Sequence, residues 1–282
     1  FRDALTRRRR SANELGEALY DRLLKPMATG LQGKDLLIVP YGSLHYLPFA
    51  ALRGEGKFLI EGRALRFLPS AALAGLLRNP QTIPIQKLLV LGNPDLGKPE
   101  LDLPSAQVEA QSLYQKFSSR SELFVRRAAS ETLVKQRGGE FSHIHLASHG
   151  EFSADNPLGS RLKLAADANN DGMLTVDEIY ALQLQAQMVV LSACETGLGQ
   201  VTSGDDVIGL TRGFLYAGAR NVVSSLWEVD DEATSLLFQY MYEALGQGRS
   251  PRQALAQAQA RLLKEKPHPF YWAAFFLSGS GL

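Results

Sequence analysis

The feature that most constrains the fold of this chain is an alternation of short apolar strands with amphipathic helices. Strand-like segments occur at 86–92 (QKLLVLG), 143–148 (HIHLAS), 188–193 (MVVLSA) and 221–227 (NVVSSLW). Apolar residues at helical spacing lie in the intervening and following segments, at 105–117, 130–137, 207–217, 232–245 and 250–264. Strands that are apolar throughout are buried on both faces, and helices connect parallel strands. We therefore predict an α/β fold with a largely parallel sheet flanked by helices on both faces.

The N-terminal part differs, and it predicts a smaller subdomain. Residues 11–24 have the spacing of an amphipathic helix, with Ser11 and Glu14 in capping-box positions. A strand is expected at 35–40 and a hairpin at 58–68, before a breaker-rich linker near residue 80. A final aromatic strand is expected at 270–277. The predicted division is a helical stub at 1–30, an N-terminal part at 31–82 and a core at 83–282.

Composition narrows the class of protein. The net charge is +1, which gives no argument for nucleic-acid binding, and no apolar run approaches the ~20 residues that span a bilayer. The first residues, FRDALTRRRR, lack the apolar stretch of a signal peptide and do not begin with Met, so we expect a fragment or a processed chain. The single cysteine, Cys194, excludes an intrachain disulfide and favours a cytoplasmic location.

Two strand ends carry side chains capable of catalysis. In HIHLASHG a strand ends on Ser148-His149-Gly150, and in MVVLSACETG another strand ends on the residues 193–197, which include Cys194. Ligand sites in parallel sheets lie at the carboxyl ends of the strands, so neighbouring strands bring these side chains together. An imidazole that takes the proton of a thiol produces a nucleophilic thiolate. From the pattern alone, two unrelated core residues remain an alternative interpretation.

Several blocks in this region resemble one known family. They are VPYGSLHYLPFAAL, HIHLASHGEF, LSACETGLG, GLTRGFLYAGARNVVSSLWEVDDEAT and YWAAFFLSG, in that order along residues 31–282. They are similar to the CHAT domain, a bacterial branch of the caspase, gingipain and separase clan of cysteine peptidases. The resemblance implies a caspase-like fold with Cys194 as nucleophile and His149 as general acid–base. It also implies oxyanion donors at the backbone N–H groups of Gly150 and Cys194, and no cofactor required for the chemistry.

The same resemblance implies a partner and a setting. CHAT domains are expected to cleave a protein substrate as a regulated event in bacterial defence or signalling, and they often follow helical repeats. An upstream helical-repeat region or a regulatory partner is therefore expected, with no nucleic-acid or membrane partner. The rival class is a catalytically silent interaction or scaffold module of the same fold.

A substrate pocket is also implied by resemblance. Separases share a Leu-Trp-x-Val-x-Asp stretch, which here places Trp227 on the wall of the cleft and Asp230 or Asp231 against the P1 side chain. An acidic pocket favours Arg or Lys at P1. The alternative is that one of these aspartates caps the following helix. Asp206 is a further acidic candidate, with a solvent-exposed turn as its alternative.

Residues 167–178 (DANNDGMLTVDE) match the pattern of a calcium-binding loop. The expected ligands are Asp167, Asn169, Asp171, the carbonyl of Met173 and the carboxylate of Glu178. The alternative is a turn without metal, in which Thr175 and Glu178 form a capping box. A calcium sensor with a secondary peptidase role is a further alternative, and calcium is the only metal expected.

Two other histidines, His143 and His145, lie on one face of the strand that leads to His149. We expect them to be packing residues. A zinc site made by these three histidines and Cys194 is the weakest alternative, because metal ligands need convergent side chains.

Overall fold

A computed structural model describes residues 1–68, 70–71, 84–151, 153, 156–192 and 206–281, with the backbone alone at 157 and 206–208. The helices are α1 (Arg2–Thr6), α2 (Ala12–Leu23), α3 (Ala28–Leu31), α4 (Pro104–Lys116), α5 (Glu131–Arg137), α6 (Val176–Tyr180), α7 (Asp206–Tyr216), α8 (Asp231–Gly246) and α9 (Pro251–Glu265). Within the described ranges, none of them is long and apolar enough to cross a membrane.

The strands form one large sheet and two small ones. They are β1 (Leu36–Ile38), β2 (Arg53–Gly54), β3 (Lys57–Phe58), β4 (Leu65–Phe67), β5 (Leu88–Pro94), β6 (Ser121–Arg126), β7 (His143–Ala147), β8 (His149–Glu151), β9 (Arg161–Lys163), β10 (Met173–Thr175), β11 (Met188–Leu191), β12 (Asn221–Ser225) and β13 (Phe275–Gly279). Among described residues the large sheet has eight strands, in the order β1-β4-β13-β12-β11-β7-β5-β6. The small sheets are β8-β9-β10 and β2-β3.

Most strands of the large sheet are parallel to their neighbours. The block β12-β11-β7-β5-β6 is parallel throughout, and so is the block β1-β4-β13. The two blocks meet at the antiparallel pair of β12 and β13. The prediction of a largely parallel sheet is therefore confirmed.

Both faces of the sheet are buried, as the continuous apolar strands require. Along β5, Leu88 and Val90 face one cluster, which includes residues of α4, α8 and α9. Leu89 and Leu91 face a second cluster, which includes residues of α5 and α7. Because strand side chains alternate between faces, β11 and β12 also contribute to both clusters, whereas the buried hydrophobic residues of β1, β4 and β13 belong to the first. The predicted helical layer on each face is thus confirmed.

Three local predictions are wrong. Residues 58–68 do not form a hairpin, because β3 pairs back with β2 whereas β4 pairs in parallel with β1. The last strand begins at Phe275 rather than 270, because Pro269–Tyr271 forms a 3₁₀ turn. Ser11 does not cap α2, since its backbone at φ −67° and ψ −6° is helical. A capping side chain needs extended backbone at that position.

Candidate active site

The two predicted strand ends are neighbours in the sheet. β7 and β11 pair in parallel, with Leu146 opposite Leu191. The N–H of Ser192 donates to the carbonyl oxygen of Leu146 at 2.9 Å, which extends this pairing beyond β11. His149 lies two residues after the end of β7, whereas Cys194, predicted as nucleophile and oxyanion donor, lies outside the described residues. The chain is described up to Ser192, two positions before it.

His149 is held by the backbone of another segment. Its side chain is largely buried, and Nε2 lies 2.9 Å from the carbonyl oxygen of Leu101. A carbonyl oxygen can only accept, so Nε2 must carry the hydrogen in this contact. In the neutral ring Nδ1 then has the lone pair, which makes Nδ1 the basic atom.

The chain changes sheets at His149. β7 belongs to the large sheet, and after Ser148 the backbone enters β8, which pairs with β9 in the small sheet. His149 lies opposite Lys163, and Gly150 lies opposite Leu162. This junction places His149 at the edge of the large sheet. The oxyanion role of Gly150 stays a prediction.

His149 and Ser192 line the same cleft, a cavity of about 240 Å³. Five of its described lining residues are acidic, namely Glu100, Asp102, Glu109, Glu228 and Asp231. No lysine or arginine is among the described residues that line it. Asp102 pairs with Arg126 at 2.6 Å, while Glu228 and Asp231 form no ion pair with any described residue. A concave surface with uncompensated carboxylates attracts cationic groups.

The structure separates the roles of the two adjacent aspartates. Asp230 caps α8, with Oδ1 accepting from the N–H of Ala233 at 3.1 Å. Asp231 lines the cleft. The capping alternative therefore applies to Asp230, and the P1 contact of Asp231 stays a prediction. The side chain of Asp206, the first residue of α7, is outside the described part.

Trp227 lies in the core. It is 3% exposed, and its indole N–H donates to the carbonyl oxygen of Phe270 at 3.0 Å. It is not among the described residues lining the cleft with His149. Its predicted place on the substrate wall stays a prediction.

A buried polar pair that the sequence interpretation missed lies at the inner side of the cleft. His145 Nε2 is 2.8 Å from Glu109 Oε1, and His145 Nδ1 is 3.3 Å from the hydroxyl of Tyr242. Burial, reinforced by the charge of Glu109, raises the pKa of the Tyr242 phenol. A signal was present in the sequence, because Glu109 lies three residues from Ala106 and four from Leu113, on the apolar face of its helix.

The other strand histidine has a different environment. His143 is 1% exposed, and burial lowers its pKa to about 4, so the ring is neutral near pH 7. Its Nδ1 lies 3.1 Å from the hydroxyl of Ser142. Its place in the buried sheet agrees with the packing role expected for it. Among the residues the structure describes, no group of three or more His, Cys, Asp or Glu side chains could hold a metal ion.

Residues 167–178 run from the turn after β9 through β10 into the start of α6, and their side chains form hydrogen bonds within the turn and with α5. Asp167 Oδ1 accepts from the Thr132 hydroxyl and the Asn169 N–H, both at 2.9 Å. Asp171 Oδ1 accepts from the N–H of Met173 at 2.8 Å. Gly172 has φ +84°, and a Cβ there would lie 2.5 Å from the carbonyl oxygen of Leu164, so this turn requires glycine.

A lysine ammonium lies among the oxygens of this loop. Lys135 Nζ donates to Asn170 Oδ1 at 2.7 Å and to Glu178 Oε1 at 2.8 Å, and it lies 2.5 Å from the buried Glu131 Oε1. Burial opposes its charge, but Glu131 and Glu178 raise the pKa of Lys135 overall. Thr175 and Glu178 also form the expected capping box. The side chains thus satisfy one another without a metal, and calcium binding stays a prediction.

Comparison with known proteins gives a family and a fold. The model of the CHAT domain family matches residues 13–280. Tetratricopeptide repeat protein 28 of Homo sapiens is 29% identical over 323 residues, covering 93% of this chain and 13% of that protein. Its counterpart in Mus musculus is 28% identical over 322 residues, with the same coverage. The chain therefore spans 13% of the length of these relatives.

Two solved structures share the fold. The separase–securin complex of Saccharomyces cerevisiae superimposes with a TM-score of 0.57 and 16% identity, over 84% of this chain and 15% of that one. The Arg-specific cysteine proteinase gingipain R superimposes with a TM-score of 0.53 and 10% identity, over 95% of this chain and 66% of that one. The fold is therefore that of the caspase-like proteases, as predicted.

Proposed function

Since this chain belongs to the CHAT domain family, we propose that it is a cysteine endopeptidase with Cys194 as nucleophile and His149 as general acid–base. The observation that carries the proposal is the setting of His149. Its ring is fixed through Nε2 on the Leu101 carbonyl, beside the strand that leads to Cys194, in an acidic cleft. With its hydrogen on Nε2, the neutral ring can take the thiol proton at Nδ1.

The proposed reaction follows from these groups. His149 Nδ1 takes the proton of the Cys194 thiol, and the thiolate attacks the scissile carbonyl carbon. The N–H groups of Gly150 and Cys194 stabilise the resulting oxyanion. The protonated His149 then gives its proton to the leaving amine, and water hydrolyses the acyl-enzyme with His149 as base.

The cleft favours a substrate with a basic P1 side chain. Asp231 and Glu228 line it, with no ion-pair partner among the described residues. An arginine or lysine offers the complementary charge. The comparison structure of gingipain R is itself described as Arg-specific. We propose that the substrate is a protein cleaved in defence or signalling, in the cytoplasm.

An upstream helical-repeat region is the partner we propose for this domain. The sequence relatives are named for tetratricopeptide repeats, and the present chain covers only 13% of them. A domain attached to repeats can receive its substrate or its activating signal through them. This arrangement agrees with the repeat region expected from the sequence.

Digestion of a peptide library derived from a proteome tests the proposal. The wild-type chain should release new N-termini, with Arg or Lys preceding the cut, in the presence and absence of calcium. Cys194→Ala serves as the blank, and His149→Gln should lower kcat by at least about 100-fold. Equal cleavage by wild type and Cys194→Ala would defeat the peptidase proposal.

A silent interaction module is the second candidate, because the named relatives are described by their repeats and not by an activity. This candidate predicts that no peptide is cleaved. It also predicts that Cys194→Ala binds the repeat region with the affinity of the wild type. The two candidates are distinguished by the same library digestion.

A further inference from the structure

Two residues with left-handed backbone meet beside the candidate active site. Asn93 has φ +50° and Arg126 has φ +55°. They lie at the carboxyl ends of β5 and β6, where the register shifts between Gly92 and Pro94. Asparagine tolerates such backbone, but for arginine it is unfavourable and persists only where the surroundings hold it. A bulge at a strand end redirects the side chain that it carries.

The redirected Asn93 side chain binds the segment that follows. Its Oδ1 accepts from the N–H of Leu103 at 2.7 Å and from Arg126 Nη1 at 3.1 Å. Its Nδ2 donates to Gln107 Oε1 at 3.1 Å. Asn93 is 4% exposed, so these bonds are made in a buried environment where they are strong. The amide thereby anchors the entry to α4.

Arg126 holds the adjacent residue of the same segment. Its Nη1 donates to Asp102 Oδ1 at 2.6 Å as well as to Asn93. The chain is therefore fixed through the backbone of Leu103 and the side chain of Asp102. The next residue towards the N-terminus is Leu101, whose carbonyl oxygen contacts His149 Nε2 at 2.9 Å.

We propose that Asn93, Arg126 and Asp102 form a clamp that positions the Leu101 carbonyl, so that His149 is held with its hydrogen on Nε2 and its lone pair on Nδ1. The three are positioning residues, because they act on His149 by fixing the segment that carries the Leu101 carbonyl. The inference rests on the proposed function only where it predicts an effect on kcat. The predicted effect on the orientation and tautomer of the His149 ring does not depend on peptidase activity.

The clamp has a clear reason in catalysis. Rotation of the ring, or loss of the preferred tautomer, would present N–H instead of a lone pair to the thiol. Reacting groups must be held within a fraction of an ångström of the productive geometry. A single loop carbonyl achieves this only if the loop itself is fixed, and Asn93 and Arg126 meet where they can fix it.

The decisive variant is Asn93→Gly, because glycine keeps φ +50° without strain while removing the amide. Asn93→Asp retains both acceptor bonds, to Leu103 and Arg126, and is the conservative rescue. Glu55→Gly is the matched control, since Glu55 has φ +53° in the turn of the separate β2-β3 sheet. The measurement is nitrogen-15 NMR of the His149 ring at a pH where imidazole is neutral.

Wild type, Asn93→Asp and Glu55→Gly should show His149 mainly protonated on Nε2. Asn93→Gly should lower the ratio of the Nε2–H to the Nδ1–H tautomer about tenfold, as expected for one lost hydrogen bond. Its kcat for a cleaved peptide should fall by about ten- to 100-fold, with KM unchanged within about twofold.

An unchanged tautomer ratio in Asn93→Gly overturns the clamp, whether or not the protein cleaves peptides. A changed ratio in a chain that cleaves nothing supports the clamp and defeats the proposed function instead. Where Asn93→Gly does not fold, Arg126→Gln decides by the same spectrum, because it removes the bonds to Asn93 and Asp102 together.

Discussion

Glu109 Oε1 lies 2.8 Å from His145 Nε2, and both side chains are almost completely buried at 5% and 0% exposure. The pair joins α4 to β7, and Tyr242 of α8 completes it through His145 Nδ1. Because α4 begins beside the Leu101 segment and β7 leads to His149, the pair connects the elements that build the cleft. Removal of one member of such a buried pair leaves the other without its partner, which lowers the free energy of unfolding.

Glu109→Ala should lower the free energy of unfolding by about 3 kcal/mol, because it leaves buried His145 without its partner. Glu109→Gln retains the shape and one hydrogen bond, and should cost about 1 kcal/mol. Glu100→Gln, in the same cleft but without a described ion pair, is the control and should change stability by less than about 0.5 kcal/mol. Urea denaturation measures all three. Equal losses for Glu109→Ala and Glu100→Gln would contradict the prediction.

The two neighbouring aspartates should separate specificity from stability. Asp231→Asn should lower kcat/KM for peptides with basic P1 residues by about tenfold or more, since it removes a carboxylate of the cleft. Asp230→Asn makes the same change in charge one residue away but keeps a good helix cap. It should therefore change neither kcat/KM for these peptides nor the stability of the fold. Asp230→Ala should cost about 1 kcal/mol of stability with P1 preference retained. Peptide kinetics measure the change in P1 preference, and thermal unfolding measures the change in stability. A similar loss of kcat/KM in Asp230→Asn would contradict the assignment of the P1 contact to Asp231.

Lys135 should compete with calcium for the loop at 167–178. Its ammonium contacts Asn170 and Glu178, so a calcium ion in the loop would have to displace it. Lys135→Gln should therefore bind calcium about tenfold or more tightly than the wild type, because charge and free oxygens govern affinity in such loops. Calorimetry measures the uptake, and adding Asp167→Ala to Lys135→Gln should abolish the gain. Equal calcium uptake in all these proteins, or none in any of them, would contradict calcium binding by residues 167–178.

His143 should make the fold sensitive to mild acid. Burial lowers its pKa to about 4 from an unfolded value near 6.5, so the unfolded state binds the proton more readily. Its contribution is fully present above about pH 6.5 and is lost as the pH falls towards 4, by about 3 kcal/mol in total. In His143→Gln this part of the pH dependence should disappear, which urea denaturation between pH 7 and 4 measures.

Two comparisons make the histidine experiment specific. Burial, and then the charge of Arg8, also lower the pKa of His268. His268→Gln should nevertheless remove less of the pH dependence of the free energy of unfolding than His143→Gln does in the same pH range. Glu140, whose pKa is lowered to about 2 by Arg137 and then Lys87, loses its contribution only between about pH 4.5 and 2. An unchanged slope between pH 6.5 and 4 in His143→Gln would show that the ring titrates normally.

Much of the fold could be predicted because its signals are local. The parallel strands appear as unbroken apolar runs, such as Leu88–Leu91 in β5, and each run is buried on both faces. Caps are equally local, since Ser130 accepts from Leu133 and Ser250 from Gln253, three residues away in each case. The hairpin expected at 58–68 was wrong because β4 has its partner in β1, far along the chain.

The candidate site likewise combines features that follow from local sequence with contacts between distant parts of the chain. By itself, the sequence determined that His149 ends an apolar strand, that Cys194 follows another, and that family blocks surround both. Only the tertiary structure decided which atom of His149 is basic, because that depends on Leu101, 48 residues away. It also decided that Glu109 pairs with His145 and that Lys135 enters the calcium-like loop, across 36 and 43 residues. The physical reason is that a charge or a lone pair acts on whatever lies within a few ångströms, and the packing of the sheet and helices determines those neighbours.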